Sequence, residues 1–198
     1  VRHQYAHAGV VITASHNPSH DNGFKAYFAD GAQLVPTHAQ EVVERYQRIA
    51  ISELLPLLAS AEEEPRWNIL PVEDDLAYRA ALEDSVLDPE MLKDNAPKLV
   101  FTPIHGTGAI TAIPALWDHG VEVAVVDEQI QQDPNFSTVK SPNPENPEAL
   151  KKGISVAQKT KSNLVLGSDP DCDRIGVAVR AKDGKFKCLT GNQVATML

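Results

Sequence analysis

Cysteine is scarce: Cys172 and Cys188 are the only two in 198 residues, too few for a disulfide framework, and both are expected as free thiols. Long apolar runs are missing as well. No stretch approaches the roughly 20 residues of a membrane span, and no charged-then-apolar leader opens the sequence. Positive charge is in deficit, with 18 Lys and Arg against 27 Asp and Glu for a formal charge of −9. Nonspecific nucleic-acid binding needs a basic footprint, so it is not expected here. No internal repeat or low-complexity tract is present, and the one charge run is the acidic Glu62-Glu63-Glu64, read as a solvated loop. No membrane partner and no nucleic-acid partner are expected, and the cytoplasm is the expected location.

What is present is ordinary globular material, 42% hydrophobic and 23% charged. From about residue 76 to 180, helical and strand patterns alternate, which predicts an α/β, doubly wound layer structure. Strands are expected at 98–101, 121–126, 163–166 and 175–179. A helix should follow the Gly106-Thr107-Gly108 turn and stop at Gly120, and Asn146-Pro147-Glu148 reads as another helix start, burying Leu150, Ile154 and Ala157. Asp74 or Asp75 is expected to cap a helix reaching about Val86. The long loop 127–145 suggests function or an interface. Before residue 76, Val10–Thr13 reads as a short buried strand and Phe24–Phe28 as another, with a turn at Asp30-Gly31 leading to Gln33–Val35. Thr37 and Gln40 look like a capping box for a helix over 38–50. Residues 51–73, with Pro56, Pro65 and Pro71, read as a connector. A hairpin is expected at 182–185 and a short helix after Gly191-Asn192.

Two motifs carry chemistry. In VVITASHNPSHDNGFK, residues 10–25, Ser15 sits where a strand ends and its neighbour Ala14 is small, so its hydroxyl can be approached closely. Far along the chain, Asp169, Asp171 and Asp173 alternate after an apolar run. Alternate residues of an extended chain lie about 6.6 Å apart, so this loop must curl before three carboxylates can share one cation. Hard oxygen ligands without a Cys/His pair at zinc spacing favour Mg²⁺. Arg174 adds a fork of donors suited to a phosphate.

TASHNP followed by NGFK, and then DPDCDR, resembles the α-D-phosphohexomutases, the phosphoglucomutase/phosphomannomutase family; TPIHGTG at 102–108 and the DPNF and SPNPE stretches between 133 and 145 support the likeness. The resemblance implies three-layer α/β/α domains with mixed, mostly parallel sheets. It makes residues 1–75 the C-terminal part of a first domain, 76–180 a second, and 181–198 the start of a third, so the chain is expected to be a central fragment whose partners include the missing domains. It implies interconversion of hexose 1-phosphate and hexose 6-phosphate, with glucose first and mannose second as the sugar. Ser15 would carry the phosphoryl group as nucleophile, with Mg²⁺ held by Ser15, Asp169, Asp171 and Asp173, Arg174 on the substrate phosphate, and His16 or Lys25 moving the proton of the sugar hydroxyl. A hexose bisphosphate such as glucose 1,6-bisphosphate would be the phosphorylating activator. The sugar-selecting residues fall outside this sequence, which implies little activity for the chain alone.

Rival readings meet the residues less well. An EF-hand loop needs Gly at position 6 and Glu at position 12, where Arg174 and Arg180 stand. An aspartyl-phosphate phosphatase using Asp169 leaves TASHNP unexplained. A dinucleotide-binding unit could use strand 98–101, Gly106-x-Gly108 and Asp127, but TPIH separates the strand from the first glycine and Thr111 replaces the third. A noncatalytic sugar-phosphate-binding fragment is the remaining alternative. The other histidines, His105 included, are expected to be structural.

Overall fold

The computed structural model describes residues 1–54, 56 and 68–198; the acidic run 62–64 and Pro65 lie outside them. The described residues form two units, Val1–Thr13 with Gly23–Val72, and Ala14–Asn22 with Glu73–Leu198. The loop bearing Ser15 thus groups with the second unit, although the strands on either side of it belong to the first.

In the first unit, β1 (Ala8–Ile12) pairs antiparallel with β2 (Phe24–Phe28), Ile12 facing Phe24. The β-branched run does form a strand, but it is not buried: Val10, Val11 and Ile12 are 53%, 42% and 64% exposed. The composition signals an extended backbone and says nothing of what covers it. Asp30 Oδ1 accepts from Ala32 N–H in the expected turn, but the strand after it shrinks to one bridge, Tyr27 to Gln33. Helix α1 (Pro36–Arg48) starts earlier than the spacing predicts, and the capping box does not form. Proline at the first helical position, with φ preset for a helix, draws Thr37 into the first turn, and Val35 is the cap without a side-chain bond. Residues 51–54 are helical, within the expected connector.

Helix α2 (Val72–Leu82), which lies in the second unit from Glu73 onward, places Glu73, Asp74 and Asp75 in its first turn, at the positive end of the helix dipole. A 3₁₀ turn at Glu83–Ser85 ends that segment. The next helix, α3 (Pro89–Asn95), is not anticipated; the Asp88 side chain caps it by accepting from Met91 N–H.

Five strands follow: β3 (Lys98–Thr102), β4 (Glu122–Val125), β5 (Leu164–Ser168), β6 (Ile175–Arg180) and β7 (Phe186–Leu189). They form one mixed sheet in the order β4-β3-β5-β6-β7. Pairings of β3 with β4 and β5 are parallel, and those of β6 with β5 and β7 antiparallel, so the sheet is evenly divided where mostly parallel pairing was expected.

The pleat sends Leu99 and Phe101 to one face and Val100 to the other. Leu99 and Phe101 join Ile113 and Val121 beneath α4 (Gly108–Asp118). Val100 joins Val165, Leu150, Ala157 and Ala178 beneath α6 (Lys151–Thr160). Helices therefore cover both faces, the expected α/β/α layering. Helix α6 comes close because Gly153 has no side chain; a Cβ there would lie 2.7 Å from Val165 Cγ1. Leu150 is 1% exposed at this contact. Leu150→Ala is expected to lower unfolding free energy by roughly 2–5 kcal/mol, read as a fall in the urea midpoint; a change within about 0.5 kcal/mol, the size of a surface substitution, would contradict this placement of the core.

Asn146-Pro147-Glu148 forms no helix. Asn146 Oδ1 accepts from Glu148 N–H, closing a turn, and the helix begins only at Lys151. The 127–145 loop opens with a short helix, α5 (Asp127–Ile130), and is pinned by buried polar groups. Thr102 Oγ1 donates to Gln129 Oε1 at 2.6 Å, and Gln129 Nε2 donates to Thr138 Oγ1 at 2.8 Å. His105, 5% exposed, bonds Thr138 Oγ1 and Gln131 O through its two ring nitrogens, the structural role expected of it.

Further on, the Ser137 hydroxyl, with the backbone N–H groups of Ser137 and Asn135, holds the Asp133 carboxyl down at about 2. A carboxyl depressed below its unfolded value of about 3.9 contributes stability above that pH and loses it as pH falls through the folded value. Asp133→Asn should therefore narrow the stability gap from wild type as pH drops from about 4 to 2; a constant gap would contradict the turn geometry. The chain closes with α7 (Gly191–Met197), capped by Thr190 and Gln193.

Candidate active site

Parallel strands β3 and β5 end at the same edge of the sheet, and the aspartate loop leaves β5 there. Asp169-Pro170-Asp171-Cys172 is a turn closed by Cys172 N–H to Asp169 O at 3.0 Å. Asp at the first position and Pro at the second are what such a turn favours. Cys172 then takes φ 61°, and Asp169 Oδ1 accepts from the N–H groups of Asp173 and Arg174 at 3.1 and 3.0 Å. This is the curl the alternating carboxylates require. Ligand oxygens of Asp169, Asp171 and Asp173 lie within 4.8 Å of one another.

The Ser15 loop meets this turn. Ser15 takes φ 53°, left-handed and costly for a residue with a side chain by roughly 1–2 kcal/mol. Its Oγ donates to Asp169 Oδ2 at 2.7 Å, across 154 positions of sequence. His16 Nδ1 lies 3.3 Å from Ser15 Oγ, and Arg174 NH1 lies 3.2 Å from His16 Nε2. A guanidinium only donates, so Nε2 accepts and the ring proton sits on Nδ1, directed at Ser15. Ser15 Oγ consequently gives its hydrogen to Asp169 and receives one from His16. Arg174 Nε also stands 3.8 Å from Asp173 Oδ1.

Asp169 is fully buried. Burial pushes its carboxyl up to about 6; the Ser15 and Arg174 bonds pull it down, and neighbouring Asp171 pushes it up again. Burial, with Asp171 beside it, outweighs the Ser15 and Arg174 bonds at this carboxyl. Oxygens around octahedral Mg²⁺ stand about 3.0 Å apart when cis and about 4.2 Å when trans, so carboxylates within 4.8 Å of one another draw closer to share an ion. The donor set fits a hard divalent cation.

The sequence-predicted residues are placed as follows: Ser15, His16, Asp169, Asp173 and Arg174 are linked by these contacts, and Asp171 lies in the same loop. Lys25 lies on β2, opposite Val11, in the first unit. Cys172 and Cys188 are free thiols. Sequence reasoning missed Gly106 and Thr107. A Cβ on Gly106 would lie 2.3 Å from Pro170 Cα, and Thr107 N–H donates to Pro170 O at 2.8 Å. Their signals were a Gly-x-Gly turn after a strand, which also suggested a dinucleotide, and their place in the TPIHGTG stretch, neither of which marks a contact with the aspartate loop. The dinucleotide reading falls here, because the backbone of the aspartate loop occupies the place a pyrophosphate would need.

Known proteins are similar to this chain in sequence and fold. The family described as phosphoglucomutase/phosphomannomutase, alpha/beta/alpha domain II, matches residues 77–184, and its domain I matches residues 1–52. Phosphoglucomutases of two Staphylococcus aureus strains are each 34% identical over 210 residues, which cover 100% of this chain and 36% of theirs. The chain thus spans about a third of the length of these curated relatives. A Thermus thermophilus protein described as a phosphomannomutase is 28% identical with TM-score 0.66, over 90% of this chain and 38% of that one. An N-acetylglucosamine-phosphate mutase, described as a member of the alpha-D-phosphohexomutase superfamily, shares the fold at 19% identity and TM-score 0.50, over 99% of this chain and 48% of its own. The matched segments contain both the Ser15 loop and the aspartate loop, and this chain belongs to the phosphoglucomutase/phosphomannomutase family.

Proposed function

We propose that the full-length protein interconverts hexose 1-phosphate and hexose 6-phosphate through a phosphorylated Ser15. The observation that carries this reading is the 2.7 Å hydrogen bond from Ser15 Oγ to Asp169 Oδ2, which sets a hydroxyl beside three convergent carboxylates. In the forward half-reaction a sugar hydroxyl oxygen attacks the phosphorus on Ser15, the P–Oγ bond breaks, and a proton passes from the sugar hydroxyl to Oγ. The sugar bisphosphate then returns its other phosphoryl group to Ser15, which restores the enzyme. Such a transition state is loose and highly charged, so catalysis rests on positioning and positive charge. Mg²⁺ held by Asp169, Asp171, Asp173 and the Ser15 group would supply that charge.

The chain's own residues do the rest. Asp169 accepts the Ser15 hydrogen in the dephosphorylated state and so aims Oγ. His16, bonded to Ser15 through Nδ1 and to Arg174 through Nε2, orients the serine, and His16 or Lys25 is proposed to carry the sugar hydroxyl proton. Arg174 steadies phosphoryl oxygens through its exposed fork. Glucose 1,6-bisphosphate, or an equivalent hexose bisphosphate, is proposed as the compound that first phosphorylates Ser15. Residues 1–75 and 76–180 are proposed as parts of successive domains and 181–198 as the opening of a third, the site being completed by further domains of the same protein. No helix among the described residues is long and apolar enough to cross a membrane, and a cytoplasmic location is proposed.

The test is an assay of the full-length protein on glucose 1-phosphate and mannose 1-phosphate with glucose 1,6-bisphosphate, with Mg²⁺ or with EDTA. Mg²⁺-dependent conversion of at least one sugar is expected; no conversion of either would contradict the proposal.

A further inference from the structure

Thr107 stands at the N-cap of α4, where a threonine hydroxyl ordinarily accepts from an N–H of its own helix. It makes no such bond here. Its Oγ1 instead donates to Pro170 O at 3.1 Å, and its N–H donates to the same oxygen at 2.8 Å. Pro170 is the one residue between Asp169 and Asp171, so a carbonyl gripped by two donors fixes the chain joining two of the three carboxylates. Gly106 completes the seat, since a Cβ there would lie 2.3 Å from Pro170 Cα and 2.4 Å from its oxygen.

The seat is itself held in a costly shape. Ile104 and His105, neither a glycine, take φ of 44° and 64°. Such conformations persist where surrounding bonds enforce them. Here His105 N–H donates to Gln129 O at 2.9 Å, and Ile104 N–H donates to Thr102 Oγ1 at 3.2 Å. A turn made only to connect β3 to α4 needs neither this strain nor a helix cap diverted to another loop.

We propose that Gly106 and Thr107 are positioning residues: they hold Pro170 so that Asp169 and Asp171 present their oxygens at the spacing a divalent cation needs. This rests on the reading of the site given above.

The experiment uses the full-length, dephosphorylated, metal-free protein titrated with Mn²⁺ and followed by electron paramagnetic resonance, which reports affinity whether or not the enzyme turns over. Thr107→Ala is expected to weaken Mn²⁺ binding about three- to tenfold, the range one neutral hydrogen bond gives. Thr107→Ser, which keeps the hydroxyl, should stay within about twofold of wild type. Gly106→Ala should weaken binding by more than about tenfold, since its added carbon must displace the Pro170 backbone. A purely structural role would lower the unfolding midpoint while leaving Mn²⁺ affinity of the folded protein unchanged. Equal affinity in wild type and Thr107→Ala, or equal weakening in Thr107→Ala and Thr107→Ser, overturns the proposal. Wild-type protein that binds no Mn²⁺, or whose binding survives Asp171→Asn, overturns the site reading and the seat with it.

Discussion

Ser15→Ala in the full-length protein is expected to lower mutase turnover by roughly four orders of magnitude or more, the scale seen when a nucleophile is removed from a working set of residues. The substitution deletes one oxygen from a half-buried side chain, so the fold should survive and the loss should lie in kcat. It also deletes the donor to Asp169 Oδ2 and the acceptor facing His16 Nδ1. Those partners would then orient nothing. Turnover within about tenfold of wild type would remove Ser15 from the chemistry.

Asp171→Asn should reduce turnover by about 10²–10³-fold, the cost of removing one preorganised charge from an electrostatic site, with matching loss of Mg²⁺ affinity. Its second signature separates a ligand from a structural residue. Asp171 helps to push the Asp169 carboxyl upward, so like charges work against the folded loop when no cation is present. Replacing one by a neutral amide of the same size should leave the metal-free protein at least as stable as wild type, while Mg²⁺ should stabilise wild type more than the variant. A variant that is less stable without metal yet unchanged in activity would make Asp171 a structural residue only.

Much of this was legible in the sequence for physical reasons that can be named. Strands β3 to β6 announce themselves as β-branched apolar runs, because a sheet covered on both faces needs them. The Asp-Pro start of the aspartate loop is also a turn signal in its own right. Helix starts were read less well. Asp88-Pro89-Glu90 and Asn146-Pro147-Glu148 offer nearly the same signal, and only the first begins a helix. At the second, Ala149 and Leu150 are 1% exposed, so burying them against the sheet sets the path of the chain and delays the helix to Lys151. Burial of β1 was overestimated because composition reports backbone preference, and exposure depends on neighbours far away in sequence.

The site shows the same division. Three aspartates at alternate positions and a serine at a strand end could be singled out by residue type. Their convergence was expected only through resemblance, since no local pattern records a contact spanning 154 positions. The Thr107 hydroxyl left no trace at all, because a threonine before a helix has an ordinary local explanation as a cap.

The most direct measurement is an anomalous-scattering map at the manganese edge from crystals of the full-length protein, phosphorylated on Ser15 and soaked in Mn²⁺. One peak is predicted, bonded to carboxylate oxygens of Asp169, Asp171 and Asp173 and to an oxygen of the Ser15 phosphoryl group, at distances near the roughly 2.1 Å of Mg²⁺. A peak that touches the acids while the phosphoserine lies out of bonding reach, or that lies away from the aspartate loop, would contradict the account.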